Sequence, residues 1–339
     1  MSVVIGWDIG GVHLKAARAE DGRVTKVAQY ASPLRSGTER LLQAFAEAKK
    51  DLGRADHHVI TMTGELADTF SSRTEGVEHL ANLAARELVG VVIYAGPSGY
   101  VSPEHARKHY ADIASANWHA YAALIARTCT DALLIDLGST TADIVPIIQG
   151  KIVARGYTDA QRLAAGELVY TGMVRGFVMA TADRAPFRGA WTPLVNENFA
   201  TMADVHRILG TLPQDVDLMP TADGRPKTIN ASRARLARML GSDASDADDE
   251  TWTLVARWFA EAQTRAICDA ATLVLSAGAL PSTTTIVAAG IGRALVDDIA
   301  RRLHCACVGF DELCDVSAET RTAACRCAPA VALAILASS

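Results

Sequence analysis

The sequence predicts an α/β chain built from two similar halves, each a sheet with helices packed on it. Three observations predict this. First, a hydrophobic run that ends in Asp and a glycine-rich turn occurs twice: Val3-Val4-Ile5-Gly6-Trp7 leads into Asp8-Ile9-Gly10-Gly11, and Ala132-Leu133-Leu134-Ile135 leads into Asp136-Leu137-Gly138-Ser139-Thr140-Thr141-Ala142-Asp143. Second, each copy opens a set of three successive strand-like runs followed by helical periodicity. Third, a loop of related type, Ala289-Gly290-Ile291-Gly292, lies between a strand-like and a helical run.

In the first half, strands are expected at 3–8, 12–19 and 23–31, then a helix at 37–52, a strand at 57–62, a helix at 74–88 and a strand at 91–94. Gly96-Pro97-Ser98-Gly99 reads as a turn. Ser102-Pro103-Glu104 starts a helix with Pro in its first turn, and Asn117-Trp118-His119 leads into another helix at 117–128. In the second half, strands at 132–137, 142–149 and 152–157 repeat the opening triplet. A polar, insertion-like stretch at 180–225 and a helical stretch at 230–275 follow, the acidic Asp243–Glu250 segment serving as a solvated loop or helix entry. A strand at 284–288, a helix at 292–302, a strand at 305–308 and a helix at 318–336 close the chain. The domains expected are 1–129 and 130–339, with a helical insertion at about 180–275 in the second; the terminal helix belongs to the second domain or packs back on the first.

The doubled motif has a physical reading. Glycines permit a tight turn and close approach of backbone to a ligand. Successive N–H groups in such a turn form an anion-binding concavity, and an Asp before it can hold a hard cation directly or through water. Two facing copies would clamp a polyphosphate and its Mg²⁺, with Asp8 and Asp136 as metal-binding residues. That is the layout of the actin/sugar kinase/Hsp70 superfamily: two ribonuclease-H-like domains with an interdomain cleft. Gly290 and Gly292, at a strand-to-helix junction, add a third phosphate or nucleoside contact.

Composition bounds the function. At 339 residues and 50% hydrophobic, the chain suits about two well-filled domains. A net charge of −5 argues against a broad nucleic-acid surface. No secretory signal is visible, and the apolar run Ala328–Ala337 is about half the length a bilayer span needs. A cytoplasmic protein without a membrane partner is expected, and a homo-oligomer is allowed. Of seven cysteines, five cluster near the C-terminus (Cys305, Cys307, Cys314, Cys325 and Cys327). Reduced, buried thiols are the expectation, since the Cys-x-Cys spacing is shorter than structural zinc sites prefer.

The motifs also carry a resemblance. Asp8-Ile9-Gly10-Gly11, Thr61-Met62-Thr63-Gly64-Glu65-Leu66-Ala67-Asp68 and Asp136-Leu137-Gly138-Ser139-Thr140-Thr141-Ala142-Asp143-Ile144 resemble the hydantoinase A/oxoprolinase-like family. Asn117-Trp118-His119-Ala120, Gly156-Tyr157-Thr158-Asp159, Gly166-Glu167-Leu168-Val169-Tyr170-Thr171-Gly172 and Phe199-Ala200-Thr201-Met202-Ala203-Asp204-Val205 are similar to its branch linked to tetrahydromethanopterin-dependent one-carbon transfer. The resemblance spans nearly the whole chain. It implies methanofuran or methylofuran biosynthesis: a transferase that joins an (aminomethyl)furanmethyl diphosphate to the phenol of a glutamylated tyramine or tyrosine, forming an aryl ether and releasing diphosphate.

That reaction assigns roles to residues. Gly10, Gly11, Lys15, Gly138, Ser139, Thr140, Thr141, Gly290 and Gly292 would bind diphosphate, although Lys15 on an alternating strand equally suits solvent. Neutralising the leaving group is an electrostatic task. A phenol, with a pKa near 10, needs a base; Glu65, Asp143, His119 and Glu167 are the candidates, His119 being equally a satisfied helix residue. Glu167 and Tyr170, three residues apart, would share a helix face and bind substrate or anchor that helix. Arg162 and Arg175 would clamp substrate carboxylates or pair with surface acids. Trp118 and Trp191 stack on substrate rings or pack.

Two other functions use the same features. An ATP-dependent kinase or ATPase would place adenosine near Gly290-Ile291-Gly292 and use Asp143, with ATP-driven opening of a cyclic amide as its oxoprolinase-like variant. A nucleotide-responsive scaffold would do no chemistry.

Overall fold

The computed structural model describes residues 2–278, 280–281 and 284–338. In chain order its elements are β1 (Val3–Ile9), β2 (His13–Glu20), β3 (Arg23–Ala31), α1 (Glu39–Leu52), β4 (His57–Met62), α2 (Arg73–Glu87), β5 (Val92–Tyr94), β6 (Tyr100–Val101), α3 (Tyr110–Ile113) and α4 (Asn117–Thr128). There follow β7 (Ala132–Leu137), β8 (Ala142–Ile148), β9 (Lys151–Ile152), α5 (Asp159–Ala165), β10 (Leu168–Val169), α6 (Val178–Thr181), β11 (Arg184–Phe187), β12 (Ala190–Pro193), α7 (Met202–Ile208), α8 (Ile229–Met239) and α9 (Asp249–Leu275). The chain closes with β13 (Thr285–Ala289), α10 (Arg293–Arg302), β14 (Cys307–Gly309), α11 (Arg321–Arg326) and α12 (Ala328–Leu336). Two compact units result: Met1–Leu134, Val145–Arg162 and Val308–Ser339 form one, and Ile135–Ile144 with Leu163–Cys307 the other. The division passes through β7, β8, α5 and β14.

The first unit is organised by a sheet of order β3-β2-β1-β4-β5-β6. The triplet β1–β2–β3 is antiparallel, and β1, β4 and β5 run parallel. This is the ribonuclease-H-like arrangement. Strand alternation divides β1 between two faces. Ile5, Trp7 and Ile9 pack with Leu41 and Phe45 of α1 and Val77 and Leu80 of α2. On the other face Val4 packs with Ala120 of α4 and Leu333 of α12. Gly6 shares that face, where a Cβ would overlap the Ala330 carbonyl oxygen and the Ala334 nitrogen. The glycine therefore lets α12 lie directly on β1.

The second sheet has the order β10-β8-β7-β13-β14, with β9 also paired to β8. The second unit adds a helical layer: Val205 of α7, Leu236 of α8 and Trp252, Val255 and Phe259 of α9 form one core with Phe187 of the β11–β12 hairpin. Asp248 caps α9 by accepting from the Thr251 N–H at 2.8 Å, so the acidic 243–250 stretch is a helix entry.

Four local expectations are corrected. The strand expected at 152–157 stops at Ile152, because Gln161 Oε1 accepts from the N–H groups of Tyr157 and Thr158 and turns the chain into α5. The helix begun at Ser102 is a 3-10 turn, Pro103–His105. The polar stretch 180–225 carries the β11–β12 hairpin and α7. The helix expected at 318–336 is two helices, broken at Cys327, with Pro329 in the first turn of α12 where its missing N–H is harmless. All seven cysteines are free thiols. No helix among the described residues is long and apolar enough to cross a membrane.

Candidate active site

The first glycine loop joins β1 to β2. Its hairpin register sets Asp8 opposite Lys15, and the parallel β1–β4 register sets Asp8 beside Thr61. Lys15 Nζ lies 3.5 Å from Asp8 Oδ2. The Asp8 carboxyl is buried, and its Oδ1 has no hydrogen-bond partner; neither has the Thr61 hydroxyl. Burial pushes the Asp8 pKa up, and the Lys15 charge pulls partly against it. Gly10 closes the turn, its N–H donating to the His13 carbonyl at 2.9 Å. Gly11 lies in open space. Lys15 therefore belongs to the loop's charge pair and is not simply a solvent-facing strand residue.

The loop after β4 packs against this turn: a Cβ on Gly64 would meet the carbonyl oxygens of Ile9 and Gly10 at 3.1 and 3.3 Å. Glu65 follows in a 3-10 turn and is 1% exposed. Its Oε1 accepts from the Ser115 hydroxyl at 2.9 Å, and its Oε2 has no partner. Burial raises its pKa to about 7, opposed by the Ser115 hydrogen bond and the charge of Arg73. Arg73 pairs with Asp159 at 2.8 Å. Asp159 belongs to the Gly156-Tyr157-Thr158-Asp159 motif, but neither Ser115 nor Arg73 was singled out by motif spacing, since they approach from separate segments.

His119, on α4, sits in an aromatic cluster. Its Nδ1 is 2.7 Å from the Tyr94 hydroxyl, and burial depresses its pKa to about 4. The Trp118 ring meets Tyr157 edge-on at 5.7 Å and is covered by the Arg162 guanidinium at 4.2 Å. Arg162 is 1% exposed, so it is a buried cation over an aromatic face. Gly96, at φ +50°, accommodates the Tyr157 hydroxyl where any side chain would collide with it.

The second glycine loop lies in the other unit. The Gly138 N–H donates to the Thr141 carbonyl at 2.9 Å, closing the turn around Ser139 and Thr140. The Met173 N–H donates to the Gly138 carbonyl at 3.0 Å, and the Val174 and Arg175 N–H groups donate to the Ser139 carbonyl at 3.1 and 2.9 Å. A Cβ on Gly172 would meet the Thr140 nitrogen at 2.5 Å. From the other side Gly290, at φ +85°, lies against the Asp136 carboxylate, and the Gly292 N–H donates to the Leu137 carbonyl at 2.9 Å. The structure thus brings Asp136, Gly138, Ser139, Thr140, Thr141, Gly290 and Gly292 together.

Among the remaining candidates, Asp143 is half-buried on β8 opposite Leu168. Arg175 is exposed. Glu167 and Tyr170 do not share a helix face. Gly166, at φ +73°, ends α5, and Leu168–Val169 is a strand. Glu167 is buried, its carbonyl accepting from the Ile144 N–H at 2.8 Å, whereas Tyr170 is 58% exposed. Trp191 packs edge-on against Trp258.

In the first loop the unpartnered oxygen of Asp8, and in the second the half-buried carboxylate of Asp136, is each a hard oxygen donor of the kind Mg²⁺ takes while keeping several waters. Among the described residues no group of three His, Cys, Asp or Glu side chains is gathered for a metal.

The chain is 32% identical over 253 residues to (4-{4-[2-(γ-L-glutamylamino)ethyl]phenoxymethyl}furan-2-yl)methanamine synthase of Methanocaldococcus jannaschii, covering 73% of this chain and 74% of that one. It is 34% identical over 113 residues to the synthase of the same name from Methanococcus vannielii, covering 33% of this chain and 50% of that one. Among solved structures, nucleotide-free acetone carboxylase superposes with a TM-score of 0.51 at 10% identity, over 87% of this chain and 66% of that one, a likeness of fold alone. The sequence pattern of hydantoinase/oxoprolinase proteins matches residues 56–336, and this chain belongs to that family.

Proposed function

We propose that this chain is a synthase of a methanofuran-type cofactor and forms its aryl ether. The observation that carries this reading is the 32% identity, over 73% of the chain, to an enzyme named for a product with a phenoxymethyl–furan link. The substrates are an (aminomethyl)furanmethyl diphosphate and the phenol of a glutamylated tyramine or tyrosine. The phenol oxygen forms a bond to the furanmethyl carbon; the bond from that carbon to the diphosphate oxygen breaks, and its electron pair leaves with diphosphate. The phenol proton passes to a base on the protein.

The buried Glu65 carboxyl supports the base assignment. Its unpartnered Oε2 is free to take a proton, and its raised pKa lies closer to that of a phenol than an ordinary carboxylate does. His119 is the weaker candidate, because its Nδ1 is already engaged by Tyr94 and burial lowers its basicity. Gly138, Ser139, Thr140 and Thr141 are assigned to the diphosphate, bordered by Gly290 and Gly292, and Lys15 supplies positive charge in the first loop. Mg²⁺ would neutralise charge on the departing diphosphate; Asp8 in the first loop and Asp136 in the second are the carboxylates that each loop offers it. The furan oxygen stabilises positive charge on the methylene carbon, so the protein's task is chiefly positioning and electrostatics. Arg175, which is exposed, is assigned to a substrate carboxylate, and the buried Arg162 to holding the Trp118 ring.

The test is mass spectrometry of products formed from furanmethyl diphosphate with glutamyl-tyramine or glutamyl-tyrosine, alongside ATP hydrolysis. Ether and stoichiometric diphosphate without ATP turnover are expected. ATP hydrolysis without ether formation would replace this reading with a kinase or ATPase.

A further inference from the structure

We propose that Ser115 is a positioning residue for Glu65, holding one carboxylate oxygen so that the other faces the substrate's phenol proton. This rests on the assignment of Glu65 as the base. A serine hydroxyl has a single hydrogen to donate, and here it goes to Glu65 Oε1 at 2.9 Å, leaving Oε2 without a partner. Both side chains are almost completely buried, so solvent does not compete for the bond.

The backbone is arranged around this contact. Ala114 forms an isolated parallel bridge to Met62, the last residue of β4. Ser115 then takes φ +55°, a left-handed conformation unusual outside glycine, asparagine and aspartate. The chain next enters α4, which carries Trp118 and His119. Across the site, Gly76 of α2 abuts the Glu65 backbone: a Cβ there would meet the Glu65 carbonyl oxygen at 2.6 Å. Glu65 is thus held from behind by α2 and at Oε1 by the 114–116 link. The charged groups acting on it are Arg73, at the start of α2, and Asp159, at the start of α5, which pair with each other.

The experiment compares wild type, Ser115→Ala, Ser115→Gly and Ser115→Asn, with Glu65→Gln identifying the Glu65 carboxyl band in infrared difference titration. Alanine and glycine both remove the hydroxyl, but glycine is at ease at φ +55°. Asparagine tolerates the conformation and restores a donor. The Glu65 titration is expected to move up by roughly one pH unit in both the alanine and glycine variants and to return toward wild type with asparagine. The acid limb of kcat/KM for ether formation is expected to move with it, so that higher pH rescues both hydroxyl-less variants. An unchanged titration in the alanine and glycine variants overturns the proposal, as does a glycine variant that matches wild type while alanine alone differs, which would make the backbone conformation the sole role of Ser115. A titration that moves while the acid limb stays fixed overturns its action on the reaction. The infrared arm needs no substrate, so a failed ether assay in wild type, or full activity in Glu65→Gln, counts against the function or the base assignment and is distinguishable from failure of the Ser115–Glu65 coupling.

Discussion

Glu65 combines a functional assignment with a cost in stability. Its pKa rises from 4.5 to about 7 on folding. Below about pH 4.5 the folded and unfolded chains both hold the proton and the stability is fully present; as pH rises through about 7 the folded carboxyl ionises in a buried place and that stability is lost. The difference corresponds to roughly 3 kcal/mol. Glu65→Gln lacks this pH dependence, so its melting temperature is expected to gain on wild type between pH 5 and pH 8, while ether formation falls by roughly 10²- to 10⁴-fold. Thermal melts across that range check the first expectation; a flat difference would show that Glu65 does not titrate there. His119 provides a contrast. With its pKa depressed to about 4 it is neutral at working pH, so His119→Asn is expected to leave the acid limb of the pH–rate profile in place. A limb displaced by that variant would transfer the base role to His119. Motif reading found Glu65 because it follows a strand end and a glycine. It missed Ser115, because a hydroxyl fifty positions away carries no local signal.

At the scale of elements, glycines decide how closely segments approach. Gly6→Ala forces a methyl into the α12 backbone and is expected to cost roughly 1–3 kcal/mol in denaturant unfolding. Gly172 acts on the second loop. It braces Ser139 and Thr140 from behind, and its carbonyl accepts from Gln263 on α9 at 3.0 Å. Gln263 also donates to the Thr171 hydroxyl and engages His206 Nε2 at 2.8 Å, joining α7, α9 and the loop in one buried network. Gly172→Ala would push the 138–141 backbone out of place, and pyrophosphate affinity measured by calorimetry is expected to fall on the order of 10²-fold with secondary structure retained. The principal strands and the flanks of all three glycine loops were readable from apolar runs that end in Asp or Gly. The break at Cys327, the short β9 and the end of α5 at Gly166 were not, because they depend on turn hydrogen bonds and tertiary packing that hydrophobic periodicity does not encode.

Across the whole molecule, the doubled motif puts one Asp-glycine loop in each unit. If both serve one reaction, Asp8→Ala and Asp136→Ala are each expected to lower turnover by roughly 10²- to 10³-fold, with circular dichroism unchanged. Chelation of divalent cations should stop wild-type turnover, and added Mg²⁺ should restore it. Near-normal rates in either variant would remove that loop from the mechanism.

Sequence alone determined that two ribonuclease-H-like sheets would form and that aspartates and glycines would end their first strands, because strand alternation and turn chemistry are local properties. It also carried the family membership. Only the tertiary structure decided that Lys15 faces Asp8, that Ser115 and α2 hold Glu65 away from water, and that Gly172 and Gly290 pack against the second loop. Burial and protonation depend on which distant segments exclude water from a group, and no spacing within one segment records that.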